Sequence, residues 1–229
     1  MSNIEITDVF FDLDHTLWDF DRNSGLAFQR VFNTHKIELS LTDFLSEYEP
    51  LNFTYWKEYR EEHITKEELR RGRLIDTFDI FKIQYPLDVI DSIASSYLNE
   101  LPLDNHLFGG AIEILEYLSE KYRLHIITNG FEEVQHLKLR NSGINKYFQS
   151  VTTSEDVGLK KPHPSVFNAA LTKASAVPQK SIMIGDSFEA DIIGAQNIGM
   201  HTLFFNYRHE KVSSLFASIN DLLEIKHHL

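Results

Sequence analysis

Asp12 and Asp14 stand one residue apart at the end of an apolar run, residues 4–11, and Thr16 adds a hydroxyl two positions further on. The run has the length and composition of a short buried strand. Side chains two apart leave an extended strand on the same side, so both carboxylates can share a site at its carboxyl end, where α/β sheets bind ligands. Taken alone, Asp-x-Asp is equally compatible with a turn, which aspartate favours. The rest of the chain weighs against the turn. Run 124–127 ends in Thr128-Asn129-Gly130, which puts a hydroxyl, an amide and a permissive glycine at the start of a helix, an arrangement suited to an anion. Lys161 belongs to a loop because Pro162 disfavours helical backbone before it, and Lys160 beside it is the rival cation. Run 181–184 ends in Gly185, and Asp186 and Asp191 follow five residues apart. One crevice at the strand ends could hold Asp12, Asp14, Thr128, Asn129, Lys161, Asp186 and Asp191.

The elements that must carry these residues are of two kinds. After Thr16 the apolar spacing turns helical for about ninety residues, with aromatic helices over 42–59 and 69–81 and a further helix over 87–98. Thr65 and Glu68 have the spacing of a capping box before the second of these. From Gly109-Gly110 onward, strand and helix alternate: helices over 111–121, 132–142, 164–174, 191–197 and 218–227, strands over 124–127, 150–153, 181–184 and 201–205. Such alternation implies an α/β fold, a doubly wound and mostly parallel sheet covered on both faces. The expected division is a core of residues 1–17 and 102–229, with a helical subdomain, 18–101, inserted into it.

With 22 Lys plus Arg against 34 Asp plus Glu, the chain carries −12, and its field repels nucleic acid and anionic membranes. Neither is expected as a partner, and any phosphate must be held by a local arrangement. The absence of Cys removes disulfides and thiolate metal sites. No apolar run reaches membrane-spanning length and the start lacks a signal-peptide pattern, so a soluble, cytoplasmic protein is expected; the sequence leaves the oligomeric state open. P-loop, dinucleotide-fingerprint, zinc-protease and nucleophile-elbow motifs are missing.

Asp-x-Asp-x-Thr, then Thr-Asn-Gly, then Lys-Pro, then Gly-Asp-Ser-x-x-x-Asp, in that order and over the whole chain, resembles the haloacid dehalogenase superfamily of phosphohydrolases. The resemblance implies a Rossmann-like core with a helical cap between the first and second motifs. It implies Asp12 as the nucleophile that becomes an aspartyl-phosphate and Asp14 as the general acid, then base. Thr128, Asn129 and Lys161 become the phosphate cradle, with Lys161 preferred to Lys160 because it directly precedes the proline. One Mg²⁺ falls to Asp12, Asp186 and the backbone carbonyl of Asp14, with Asp191 in support. Charge points the same way. Four aspartates and one lysine leave −3, and each unit charge about 5 Å from a phosphate is worth about 3 kcal/mol at an effective dielectric near 20, so a dianion enters only with a cation and a proton present. The second acid argues for phosphate chemistry, since releasing a halide requires no protonated leaving oxygen.

Within the superfamily, the wording of residues 11–20, 56–59, 64–69 and 127–131 is most similar to the pyrimidine 5′-nucleotidases, which implies a small-molecule nucleotide substrate. N-acylneuraminate-9-phosphatases, sugar-phosphate or phosphoglycolate phosphatases and phosphomutases share the core motifs. A non-catalytic phosphate-binding scaffold is the reading from another class. In the helical insert, Phe20, Phe53, Tyr55, Trp56 and Tyr59 offer a stacking surface for a base, against the plainer reading that helical aromatics form core. Arg70, Arg71 and Arg73 read mainly as a solvated face. His15 is expected to point away from the acids by strand alternation, and His227 and His228 to be inert at the chain end.

Overall fold

The computed structural model describes residues 5–229. Among these residues, six parallel strands form one sheet in the order β3-β2-β1-β4-β5-β6. They are β1 (Asp8–Phe11), β2 (Arg123–Thr128), β3 (Phe148–Thr153), β4 (Ser181–Gly185), β5 (His201–Phe205) and β6 (Ser218–Ile219). All four residues of β1 are buried, because its neighbours β2 and β4 flank it in the sheet and helices cover both faces. Ile4, the first residue of the expected strand, lies outside the described residues. The sequence runs outward from β1 to β3 on one side and from β4 to β6 on the other, so the strand order reverses at β1. A crevice opens beyond the carboxyl ends of strands at such a switch point.

The chain divides into two compact units. The first comprises residues 5–19 and Asn105–Leu229, which contain the sheet and helices α5 (Ala111–Ser119), α6 (Glu132–Asn141), α7 (Ser154–Val157), α8 (Pro164–Ala174) and α9 (Gly194–Gln196). Its core beneath α8 joins Phe10, Ile127, Val166, Phe167, Ala170 and Met183, all fully buried. The second, Phe20–Asp104, is helical: α1 (Phe20–His35), α2 (Leu41–Arg60), α3 (Lys66–Ile80) and α4 (Leu87–Glu100). Its centre is aromatic. Phe28 stacks on Tyr97 at 4.3 Å and meets Phe44 and Tyr48 edge-on, while Phe78 closes on Phe44. The capping box forms as its spacing requires: Thr65 Oγ1 accepts from the Glu68 N–H, and the Glu68 carboxylate accepts from the Thr65 N–H. Among the described residues, no helix is long and apolar enough to cross a membrane.

Three local expectations differ from what forms. The closing helix over 218–227 is instead the two-residue edge strand β6 followed by a 3₁₀ helix, Leu222–His227, capped by Asp221. An Asx-type cap at Asp221 interrupts what periodicity reads as one helix. The helix over 191–197 begins earlier, as a π-helical segment, Phe188–Ile193, started by Ser187. Arg73 lies on no solvated face: it is 2% exposed, donates to Asn52 and sits over the rings of Tyr48 and Tyr97. Arg71 is bound to Asp91 and Glu67 instead.

Candidate active site

Three strand ends and one loop of the sheet-bearing unit converge. The β1 ladder continues one residue past its end, where the Asp12 N–H donates to Ile184 O at 3.0 Å, and the chain then turns sharply. His15 makes the turn with a left-handed φ of 61°, so strand alternation does not apply to it. Its ring leaves the acids as expected, meeting the Tyr207 hydroxyl at 2.9 Å and Arg208 at 3.2 Å. Burial, with Arg208 next, pushes the His15 imidazole down to about 3, so it stays neutral. Thr16 is fully buried and ties β1 to β4, accepting from the Asp186 N–H at 3.1 Å.

Lys161 is the hub. Its ammonium donates to Asp12 Oδ1 at 2.6 Å, Asp191 Oδ1 at 2.6 Å and Ile127 O at 2.8 Å, which occupies all three protons. Burial opposes this charge, but Asp12 and Asp191 overcome it and push the lysine up to about 12. Lys161 is thus the cation that pairs with Asp12 and Asp191. The loop is fixed by Asn129, whose Oδ1 accepts from the Lys161 N–H at 2.8 Å and whose Nδ2 donates to Lys161 O at 3.0 Å. Half of the Asn129 amide's hydrogen-bonding capacity is therefore spent on holding Lys161, which leaves one Nδ2 hydrogen and one Oδ1 lone pair.

Asp12, Asp186 and Asp191 offer carboxylate oxygens within 4.8 Å of one another. Asp191 reaches in because Gly185 has no side chain: a Cβ there would stand 2.2 Å from Asp191 Oδ2. That oxygen accepts from the Ser187 N–H at 3.0 Å. Crowding three acids around one ammonium leaves excess negative charge. Burial first, then Asp12 and Asp191, raise Asp186 well above the usual carboxylate range. Burial also raises Asp12, with Asp191 adding to it and Lys161 offsetting part. An all-oxygen, anionic donor set of this kind fits a hard divalent cation such as Mg²⁺.

Asp14 is held apart from this cluster, by residues that the sequence reading missed. Lys138 Nζ donates to its Oδ1 at 2.6 Å and Gln135 Nε2 to its Oδ2 at 3.0 Å. Both come from α6, three residues apart and hence on one face. The signal available was two polar residues on the buried side of a helix that follows Thr-Asn-Gly. Gly130 makes room for Gln135, since a Cβ there would lie 2.4 Å from its amide. Thr128 Oγ1 accepts from the Gly130 N–H at 3.1 Å and from Gln135 Nε2 at 2.7 Å. With both lone pairs taken, the Thr128 hydroxyl proton is what remains to donate to an anion.

In the helical unit, Phe20 and Tyr59 are buried and belong to packing. Trp56 packs edge-on against Tyr59, Tyr55 donates to Asp76, and Phe53 is 61% exposed. His227 and His228 are exposed at the chain end.

The model of the haloacid dehalogenase-like hydrolases matches residues 9–205. Pyrimidine 5′-nucleotidase YjjG of Escherichia coli is 31% identical over 205 residues, covering 89% of this chain and 87% of its own. Glyceraldehyde 3-phosphate phosphatase of Pyrococcus abyssi is 32% identical over 200 residues, 87% of this chain and 81% of its own. Among solved structures, the HAD-hydrolase YfnB of Bacillus subtilis, described as bound to magnesium, superposes with a TM-score of 0.89 at 27% identity, over 98% of this chain and 99% of that one. The acids, lysine and threonine at the strand ends thus belong to a member of the haloacid dehalogenase-like hydrolase family, a phosphoric monoester hydrolase.

Proposed function

We propose that the protein is a Mg²⁺-dependent phosphomonoesterase that works through an aspartyl-phosphate on Asp12, with nucleoside 5′-monophosphates of the pyrimidine class as its substrates. The observation that carries the chemistry is the separation of the two acids of the first motif. Asp12 lies in a cluster with Asp186, Asp191 and the Lys161 ammonium, while Asp14 is hydrogen-bonded by a different set of donors. A nucleophile has to be ionised next to an anionic substrate, and Lys161 offsets part of the burial that opposes the Asp12 carboxylate, whereas an acid/base has to exchange a proton, so the two roles call for different partners.

In the first step an Asp12 carboxylate oxygen bonds to phosphorus as the ester P–O bond breaks, and Asp14 gives its proton to the leaving oxygen. In the second, water attacks phosphorus while Asp14 takes back a proton, the Asp12–phosphorus bond breaks, and phosphate leaves. Thr128 donates its hydroxyl to a phosphoryl oxygen, and Lys161 exchanges one of its present partners for another. Asp12, Asp186 and the Asp14 backbone carbonyl would hold Mg²⁺, with Asp191 in support. When bound, the ion neutralises the crowded carboxylates and the phosphoryl charge.

The nucleotide assignment is supported by the similarity to a pyrimidine 5′-nucleotidase over nine-tenths of the chain, and the helical unit is proposed as the cap that selects the substrate. The comparable identity to a glyceraldehyde 3-phosphate phosphatase favours a small sugar phosphate as the second reading. Phosphate release with Mg²⁺ from pyrimidine and purine 5′-monophosphates, glyceraldehyde 3-phosphate, N-acylneuraminate 9-phosphate and phosphoglycolate tests the assignment. A tenfold or larger lead for the pyrimidine nucleotides is expected, about 1.4 kcal/mol of discrimination. A lead by another phosphate rejects the nucleotidase reading and retains the chemistry; no release from any of them rejects both.

A further inference from the structure

Lys138 and Gln135 stand outside every motif that the family reading uses, and both are buried: Lys138 is 2% exposed and Gln135 fully enclosed. Burying a lysine costs several kcal/mol unless its charge is used, and an apolar residue would suit that face of α6 as packing. The ammonium lies between the Asp14 carboxylate and the face of Trp18, with Nζ 2.6 Å from Asp14 Oδ1 and 4.2 Å from the ring centroid. Gln135 bridges Asp14 Oδ2 and Thr128 Oγ1 through one amide nitrogen. The two donors grip the two carboxylate oxygens from one rigid helix face, which fixes both the side-chain rotation and the plane of the carboxyl group. Each oxygen keeps a second lone pair, so the grip is compatible with a proton on Asp14 as well as with its absence.

We propose that Lys138 and Gln135 are positioning residues that aim the Asp14 carboxyl at the leaving oxygen, so that proton delivery depends on α6 as much as on the Asp-x-Asp strand end. This rests on the phosphatase reading above. Proton delivery matters most when the departing oxygen is a poor leaving group and little when it is a good one. A loosened Asp14 therefore has a kinetic signature that a general loss of structure does not share.

The experiment compares kcat/KM, with Mg²⁺ present, for p-nitrophenyl phosphate, whose leaving oxygen departs unaided, and for an alkyl phosphate such as a nucleoside 5′-monophosphate. The variants are Lys138→Met, Lys138→Arg and Gln135→Leu, each checked by its melting temperature. In Lys138→Met the alkyl-to-aryl ratio of kcat/KM is expected to fall about tenfold or more, within the range of acid catalysis. Lys138→Arg restores part of it, and Gln135→Leu lowers the ratio less because one grip remains. Equal losses on both esters in Lys138→Met and Gln135→Leu overturn the proposal while leaving the phosphatase reading intact. If Lys138→Met does not fold, the ratio in Gln135→Leu decides alone. Failure of the unsubstituted protein to release phosphate from either ester rejects the underlying reading instead.

Discussion

Lys161 Nζ meets Asp12 Oδ1 at 2.6 Å across 149 residues of sequence, and the same ammonium meets Asp191 Oδ1 at 2.6 Å. One cation is thus shared by two buried acids, with a third, Asp186, close by. Crowded carboxylates lower stability, and removing one relieves the others. Asp12→Asn is accordingly expected to abolish phosphate release, with kcat down on the order of 10⁴-fold or more, as for other nucleophile removals. Its melting temperature stays level or rises, because Lys161 keeps Asp191 and Ile127 O. Phosphate-release kinetics and a thermal melt check both halves; retained turnover would exclude Asp12 as the nucleophile.

Metal dependence follows from the same crowding. Chelation is expected to stop turnover and Mg²⁺ to restore it. Without substrate, saturating Mg²⁺ raises the melting temperature through binding to the folded state alone, worth about 2.7 kcal/mol at a hundred times the Kd. Asp186→Asn loses most of that shift. A protein fully active after chelation, or an unshifted melt, contradicts the assignment.

Gly185 sets the approach of Asp191. A methyl group at that position would stand 2.2 Å from Asp191 Oδ2, so Gly185→Ala must displace the acid and, through it, Lys161. A misplacement of about 1 Å costs on the order of 10²-fold in rate. The expected result is a kcat lower by about that factor with Mg²⁺-dependent stabilisation weakened, read by kinetics and by melts with and without the ion.

His125 supplies a pH dependence remote from the acids. Its Nε2 faces Asp8 Oδ1 at 3.1 Å and its Nδ1 faces Ser150 Oγ at 2.8 Å, beneath the stacked ring of Phe10. Burial lowers its pKa from the ordinary 6.5, although Asp8 pulls the other way. Just below 6.5 the unfolded chain therefore binds more protons than the folded one. This contribution to stability is complete above that pH and declines as pH falls through it. His125→Gln is expected to flatten the slope of stability against pH in this window by a fraction of one proton, measured by urea unfolding between pH 5 and 7.5. An unchanged slope would assign the acid sensitivity elsewhere.

The convergence of the candidate residues was largely legible in the sequence because each strand of the sheet's middle ends in a chemically marked residue: Asp12 after β1, Thr128 at the end of β2, Asp186 after β4. Strand alternation with helices dictates a parallel sheet, and a parallel sheet brings those ends to one side. Lys138 and Gln135 escaped because an amphipathic helix is read for its apolar stripe, and polar residues on the stripe register as noise until a partner is known. Arg73 was misjudged for a related reason: three arginines within four positions look solvated, but helical geometry turns Arg73 inward onto two tyrosines while Arg71 faces Asp91. The closing helix was overextended because Asp221, a capping residue, sits inside a run whose periodicity is otherwise continuous.

That shortened end has a bearing on how the protein behaves when crowded. A sheet edge presents unpaired peptide groups that a second chain can adopt as a template, and long flat edges invite aggregation. Here the edge beyond β5 is finished by β6, only two residues long, before the backbone coils away into the Leu222–His227 helix. An incoming strand finds two residues of β6 to pair with, so this edge of the sheet ends in a stub, unlike the opposite edge, where β3 runs for six residues.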